Sequence, residues 1–375
     1  MNIGFRCFLM LKFLFRYTKD TGSILSTFMD IAGLWNTRSM LFSQSPIVVS
    51  FEEYMEHALY GIFGFYSNDG LAGTRTGDFL TSPEVGPLFG EIVANLIDET
   101  WIELGSPEKF DFVECGAGPG TLARSILAAK PQCLDSLNYV AVEISDSQRE
   151  MHPSGVVSVK DMPSGPFNGI IFANELLDNI PFRLFVFDEM WKEAFVVSKG
   201  DGRFSEVLKL SDDEFAFLPA IVIHGSRVPI QTQAGKWVES ALSRLLSGKM
   251  VLIDYCTEST SEICRIPWRN WLRTYKNHER GTHYLIEPGS QDITTQVILD
   301  QLRLYVPNIQ IDSQSSWLKK YGIEDLVDEG KRYWEEHRSS PNVFALKMLS
   351  RVSEAAKLLD PTGLGDFKVI TINAS

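Results

Sequence analysis

The feature that most limits the fold is a strand that runs straight into a glycine turn and then a helix. Phe110-Asp-Phe-Val-Glu-Cys115 is a short apolar strand, Gly116-Ala-Gly-Pro-Gly120 a turn, and Thr121 to Ala129 a helix. The alternation continues: Tyr139–Glu143, Val156–Lys160 and Gly169–Asn174 read as strands, and Met250–Asp254 as a further core strand. Short apolar runs separated by helices predict a parallel sheet covered on both faces, so the fold class is α/β. Arg183–Phe187 and Trp191–Ser198 flank Asp188-Glu189 and predict a β-hairpin. Val343–Leu349 and Phe367–Ile372 read as late strands closing one sheet edge.

Upstream the pattern is helical. Phe51 to Tyr60 carries apolar residues at helical spacing. Ser82-Pro83-Glu84 predicts a helix start, with a capping serine, proline in the first turn and an early acid. The stripe Val85, Leu88, Phe89, Ile92, Val93, Leu96, Ile97 follows at amphipathic spacing. Gly64 to Thr81 reads as a loop. This divides the chain into an extension at 1–45, a helical lid region at 46–105, and a core at 106–375 with an insertion near 255–340.

Charge narrows the partners. Lys+Arg 35 against Asp+Glu 48 leaves a net charge of −13, so no positive field recruits nucleic-acid phosphates. Five scattered cysteines with no CxxC pair predict a reducing compartment rather than a disulfide framework. His278 and His283 stand in a polar stretch without metal-ligand spacing, and no metal is expected. The apolar run from Phe5 to Phe15 is interrupted by Lys12 and is too short to span a bilayer, so no membrane partner is expected. Residues 1–45 read as lying outside the fold, with Met29 or Met40 as an alternative start; a mitochondrial transit peptide is the second reading. The expected compartment is the cytoplasm, with the mitochondrial matrix as the alternative. A homodimer is one candidate assembly, and the sequence does not name the oligomeric state.

The glycine spacing separates two cofactor classes. A dinucleotide site uses GxGxxG. Here the third glycine comes one residue early and Thr121 takes its place. Glu114-x-Gly116-x-Gly118-x-Gly120 is the pattern of class I S-adenosyl-L-methionine (SAM) methyltransferases, with a Rossmann-like sheet and helices on both faces. SAM carries no phosphate, and its cationic methionine end suits an acid such as Glu114. Glu143, ending the second strand, can accept two hydrogen bonds from a ribose diol. Asp161, after the third strand, can accept from the adenine amino group. Ligands of open parallel sheets sit beyond the carboxyl ends of the strands. Asn174 and Glu175, ending the fourth strand, therefore aim at the methyl group or its acceptor, with Asp178 close behind.

These residues carry a wider likeness. Ala58-Leu-Tyr60 with Gly64-Phe-Tyr66, Gly77-Asp-Phe-Leu-Thr-Ser-Pro-Glu84, Phe89-Gly-Glu91, Ala173-Asn-Glu-Leu-Leu-Asp178, Leu252-Ile-Asp-Tyr255, Pro288-Gly-Ser-Gln-Asp-Ile-Thr294 and Gly365-Asp-Phe-Lys-Val369 together resemble the MidA family of SAM-dependent methyltransferases. Mitochondrial members of that family are complex I assembly factors that dimethylate a protein arginine. The form Gly-Ala-Gly-Pro-Gly-Thr-Leu-Ala-Arg looks closer to bacterial members, and Cys256 and Leu364 depart from the usual Gly and Met. The resemblance implies in-line methyl transfer to a basic, arginine-bearing protein. A small-molecule acceptor and a SAM-binding assembly role without turnover are the rival readings. An arginine stays charged in solution, so the site must hold a guanidinium and let a proton leave. Glu175 is the first candidate for that, Asp178 and Glu84 the next. Phe65 and Phe79 are expected to shape an apolar wall, and Asp78, Thr81 and Ser82 to line a lid.

Overall fold

The computed structural model describes residues 47–67, 81–199, 202–276 and 279–374. The chain divides into two compact units. One comprises 1–47 with 198–202, almost wholly outside the described residues, and with it the expected extension at 1–45. The other comprises 48–197 with 203–375, and the site described below lies within it.

In chain order the strands are β1 (Ile47–Ser50), β2 (Phe110–Cys115), β3 (Leu137–Val142), β4 (Val157–Val159), β5 (Phe167–Asn174), β6 (Arg183–Asp188), β7 (Met190–Ser198), β8 (Phe204–Lys209), β9 (Arg227–Ile230) and β10 (Leu245–Asp254). The main sheet runs, from one edge, Gln310–Ser313, Lys368–Ala374, β10, β5, β2, β3, β4. From β10 to β4 all neighbours are parallel. Lys368–Ala374 pairs antiparallel with β10, and Gln310–Ser313 antiparallel with it. Chain order reverses at β2, which has β3 on one side and β5 on the other; that is where an open α/β sheet places its ligand.

The alternation of β2 shows why both faces are covered. Phe110 and Phe112 enter one core with the helices Pro87–Glu103 and Thr121–Ala129, while Val113 and Cys115 enter the opposite core with the helix Thr232–Leu242. A third core joins the helix Phe51–Tyr60 to the hairpin β6–β7 and to Trp271 and Tyr284. That helix starts with a capping box: Ser50 Oγ accepts from the Glu53 amide at 3.1 Å, and Glu53 Oε2 accepts from the Ser50 amide at 2.9 Å.

Two expectations about elements are corrected. Val343–Leu349 is not a strand but the start of a helix, Val343–Leu358. Asn342 caps it, its side chain accepting from the Ala345 amide, and Ala345, Met348, Ala355 and Leu358 are buried at helical spacing. Nor does Ser82 cap one long helix. The short turn Ser82–Val85 is capped by Thr81 without a side-chain bond, and a break at Gly86 precedes Pro87–Glu103. The second helix gets its cap from far away: the Leu88 amide donates to Glu354 Oε2 at 2.9 Å. A Cβ at Gly86 would lie 2.3–2.7 Å from that carboxylate, so the cap and the glycine require each other. Between β10 and Val343, the expected insertion, the described residues form a small antiparallel sheet (Arg273–Lys276, Glu279–Arg280, Asp292–Thr294) and the helices Gln314–Lys320 and Ile323–His337. Gln310–Ser313, in the same stretch, belongs to the main sheet.

Candidate active site

A cavity of about 850 Å³ opens above the carboxyl ends of β2, β3 and β5. One wall is the glycine loop. Gly116, Gly118 and Gly120 all have positive φ, at 70°, 53° and 79°. At Gly118 the left-handed backbone alone demands glycine: an added Cβ would find only Gln148 Oε1, at 3.6 Å, and the side toward the cavity is open. Gly120 has a second reason, since a Cβ there would press on Pro153 and His152 at 3.0 and 3.1 Å. Gly120 therefore shapes the loop from behind and does not line the cavity, whereas Gly116, Gly118 and Thr121 do.

Glu143 closes this wall from the end of β3. Its Oε2 accepts from the Gly118 amide at 2.9 Å and its Oε1 from the Ser145 amide at 2.8 Å. Ser145, not Glu143, caps the next turn, its side chain accepting from the Gln148 amide. The carboxylate thus has a fixed orientation and lines the cavity with lone pairs to spare. Beneath the loop, Glu114 accepts from the Tyr139 hydroxyl at 2.6 Å. Burial pushes the Glu114 carboxyl up to about 8, against the pull of that hydrogen bond. Asp161 is exposed at the rim.

The opposite wall carries Asn174, Glu175 and Glu84. Asn174 Nδ2 donates to Glu175 Oε1 at 2.9 Å, and its own Oδ1 is buried with no hydrogen-bond partner. Burial pushes Glu175 up to about 8; Asp178 adds to the shift, and the Asn174 amide opposes it. Asp178, expected beside Glu175 in the site, is not on the cavity surface. It is 4% exposed and turns away to accept from Thr294 Oγ1 at 2.7 Å. Ser82 is likewise buried behind the wall, donating to Gln314 Oε1, while Thr81 and Glu84 line the cavity. Phe65 does not form an apolar wall either: it is buried in the third core, and its neighbour Tyr66 lines the cavity with Tyr60, the two rings stacked at 5.5 Å. Asp78, Phe79 and His278 lie outside the described residues.

Sequence reasoning missed the helix Phe51–Tyr60 as a wall, although Glu52, Glu53, Glu56 and Tyr60 line the cavity. Helical spacing marked its buried face. The polar face gave no signal, because charged residues on a helix are ordinarily only solvated. No group of side chains suited to a metal occurs among the described residues.

The sequence pattern of a family described as S-adenosyl-L-methionine-dependent methyltransferases matches residues 92–315, more than half of the 375. The chain belongs to this family. The resemblance to MidA-type methyltransferases thus holds, and SAM is the cofactor. The mitochondrial protein arginine methyltransferase NDUFAF7 of Bos taurus is 41% identical over 332 residues, covering 75% of this chain and 71% of that one. Its Drosophila melanogaster homolog is 27% identical over 305 residues, covering 69% of this chain and 66% of the other. A COG1565 superfamily member from Burkholderia thailandensis, solved with S-adenosyl-homocysteine bound, shares the fold with a TM-score of 0.75 over 95% of both chains at 24% identity. The glycine wall of this methyltransferase fits its cofactor: bare left-handed backbone faces the cavity, and an oriented carboxylate stands at the end of β3 where a diol would sit.

Proposed function

We propose that this methyltransferase acts on the side chain of a protein arginine. When bound, the cofactor supplies an electrophilic methyl group carried on a sulfonium. In this reading Glu143 holds the ribose hydroxyls, the bare backbone of the glycine loop and Glu114 face the methionine end, and Asp161 reaches the adenine from the rim. The observation that carries the acceptor assignment is the concentration of carboxyl groups on the other walls. Glu175 and Glu84 stand opposite the loop, and Glu52, Glu53 and Glu56 line the same cavity from the helix Phe51–Tyr60. Burial also pushes Glu52 and Glu56 upward. Glu175, Glu52 and Glu56, held against their preference by burial and by neighbouring carboxylates, gain most from a cation placed among them. A guanidinium satisfies that condition at every pH the enzyme meets.

The reaction also needs a proton acceptor, because the methylated nitrogen must shed one proton. The guanidinium keeps Glu175 ionised while it is bound. Burial keeps its affinity for a proton high, so it can take one as the new bond forms. The names of the relatives support this reading, since they are arginine methyltransferases. Those relatives are also named as mitochondrial, which favours the matrix over the cytoplasm. Incubation with methyl-labelled SAM and a cell extract tests the acceptor. Label should enter protein and emerge after hydrolysis as methylated arginine. Label confined to solvent-extractable material, or found on another residue, overturns the reading.

A further inference from the structure

Glu175 has a φ of +53°, in the left-handed region that suits glycine and disfavours a residue with a Cβ. Two sets of contacts from β10 hold it there. Its amide donates to the Ile253 carbonyl at 2.8 Å, extending the β5–β10 ladder by one rung beyond Asn174. In the turn that follows, the amides of Leu177 and Asp178 donate to one oxygen of Asp254, at 2.9 and 3.3 Å. The other Asp254 oxygen accepts from the Tyr255 amide at 2.8 Å. Asp254 is 1% exposed and does not reach the cavity surface. Its carboxylate lies near Asp178 and Glu175, and a leucine in its place would avoid that repulsion. Two amides of the turn Leu177–Asn179 converging on one oxygen of this buried carboxylate, whose other oxygen is anchored by the Tyr255 amide, instead describe a clamp on that turn.

We propose that Asp254 is a positioning residue for methyl transfer: it clamps the turn after Glu175 and so holds that residue's left-handed backbone, keeping the carboxyl aimed into the cavity. The proposal rests on the reading that Glu175 receives the acceptor. Without the clamp the turn loosens, Glu175 relaxes toward ordinary backbone angles, and its carboxyl leaves the reacting nitrogen. A displacement of about 1 Å at such a group lowers turnover on the order of a hundredfold.

A double-mutant cycle tests this with wild type, Asp254→Asn, Glu175→Gln and the double variant. Two quantities are read: cofactor affinity by calorimetry, and transfer of label from SAM into the protein fraction of the extract at saturating SAM. Asn keeps the size of Asp but offers one acceptor oxygen where two are in use. Asp254→Asn should bind SAM within about threefold of wild type and transfer methyl about ten- to a hundredfold more slowly. The double variant should be no slower than Glu175→Gln alone, since a residue that acts only through Glu175 has nothing further to lose. A normal rate in Asp254→Asn overturns the proposal, as does an additive loss in the double variant. A wild-type rate in Glu175→Gln instead removes the reading of Glu175, and the positioning role with it. If Asp254→Asn loses its cooperative thermal transition, Asp254→Ser, which removes the carboxylate and its charge, takes its place in the cycle and is judged by the same outcomes.

Discussion

The loop wall of the cavity comes from one stretch of chain, Glu114 to Glu143, whereas the Glu175 wall draws on residues far apart in sequence. In the first, backbone does most of the work. Left-handed glycines keep the loop free of side chains, its amides are taken up by Val142, Ala117 and Glu143, and that one carboxylate fixes the loop through Gly118. In the second, side chains do most of it. Glu175 is set by Asn174 and Ile253, and the turn behind it by Asp254 and Thr294. The loop wall therefore specifies a ligand by shape and by the one oriented carboxylate of Glu143, and the other wall by its concentration of charge. Such a division predicts that damage to one wall appears in cofactor affinity and damage to the other in turnover.

Gly118→Val should have the largest effect. A branched side chain at a φ of +53° is strained, and it would fill the space the cavity leaves open there. Calorimetry should find no SAM binding while the circular dichroism of the fold persists; wild-type affinity would remove the loop as the cofactor wall. Glu175→Gln comes next. Methyl transfer should fall by about two to four orders of magnitude, the usual loss for a general base, with SAM affinity kept. A rate within about threefold of wild type would reject Glu175 as the proton acceptor. Glu143→Ala should be milder, weakening SAM about ten- to a hundredfold as two hydrogen bonds to a charged acceptor are lost. Unchanged affinity would make Glu143 a brace for the loop and nothing more.

A further effect is on stability and belongs to both walls. Glu114 and Glu175 each sit at about 8 in the fold against about 4.5 when unfolded. The folded state then holds protons that the unfolded state has released. Their contribution is fully present below about pH 4.5 and is lost as pH rises toward 8. The melting temperature of the free protein should therefore fall over that window, and Glu114→Gln should flatten the fall. A melting temperature that climbs from pH 5 to 8 in the wild type would contradict the buried, protonated carboxyls.

The same contrast explains what could be read from the sequence. The loop wall was legible because its signals are local: a strand, three glycines, a helix and an acid at the end of the next strand. Glu175 was legible through a general rule about strand ends. Asp178 was misplaced because the rule gives the end of the strand but not which way the next turn faces; Thr294, far along the chain, decides that. Asp254 also ends a strand, yet its use depends on amides contributed by Leu177 and Asp178. Val343–Leu349 misled for another reason. A short apolar run fits a strand or a buried helix face equally well, and the cap at Asn342 was the residue that should have decided it.

The division of labour between the walls is tested most directly by measuring SAM affinity and turnover at saturating SAM for Glu143→Ala and Glu175→Gln together. The account predicts perpendicular losses. Glu143→Ala should lose affinity but recover most of its turnover at saturation, and Glu175→Gln should keep affinity and lose turnover. A Glu175→Gln variant that binds SAM as weakly as Glu143→Ala would contradict it, because Glu175 would then belong to the cofactor wall.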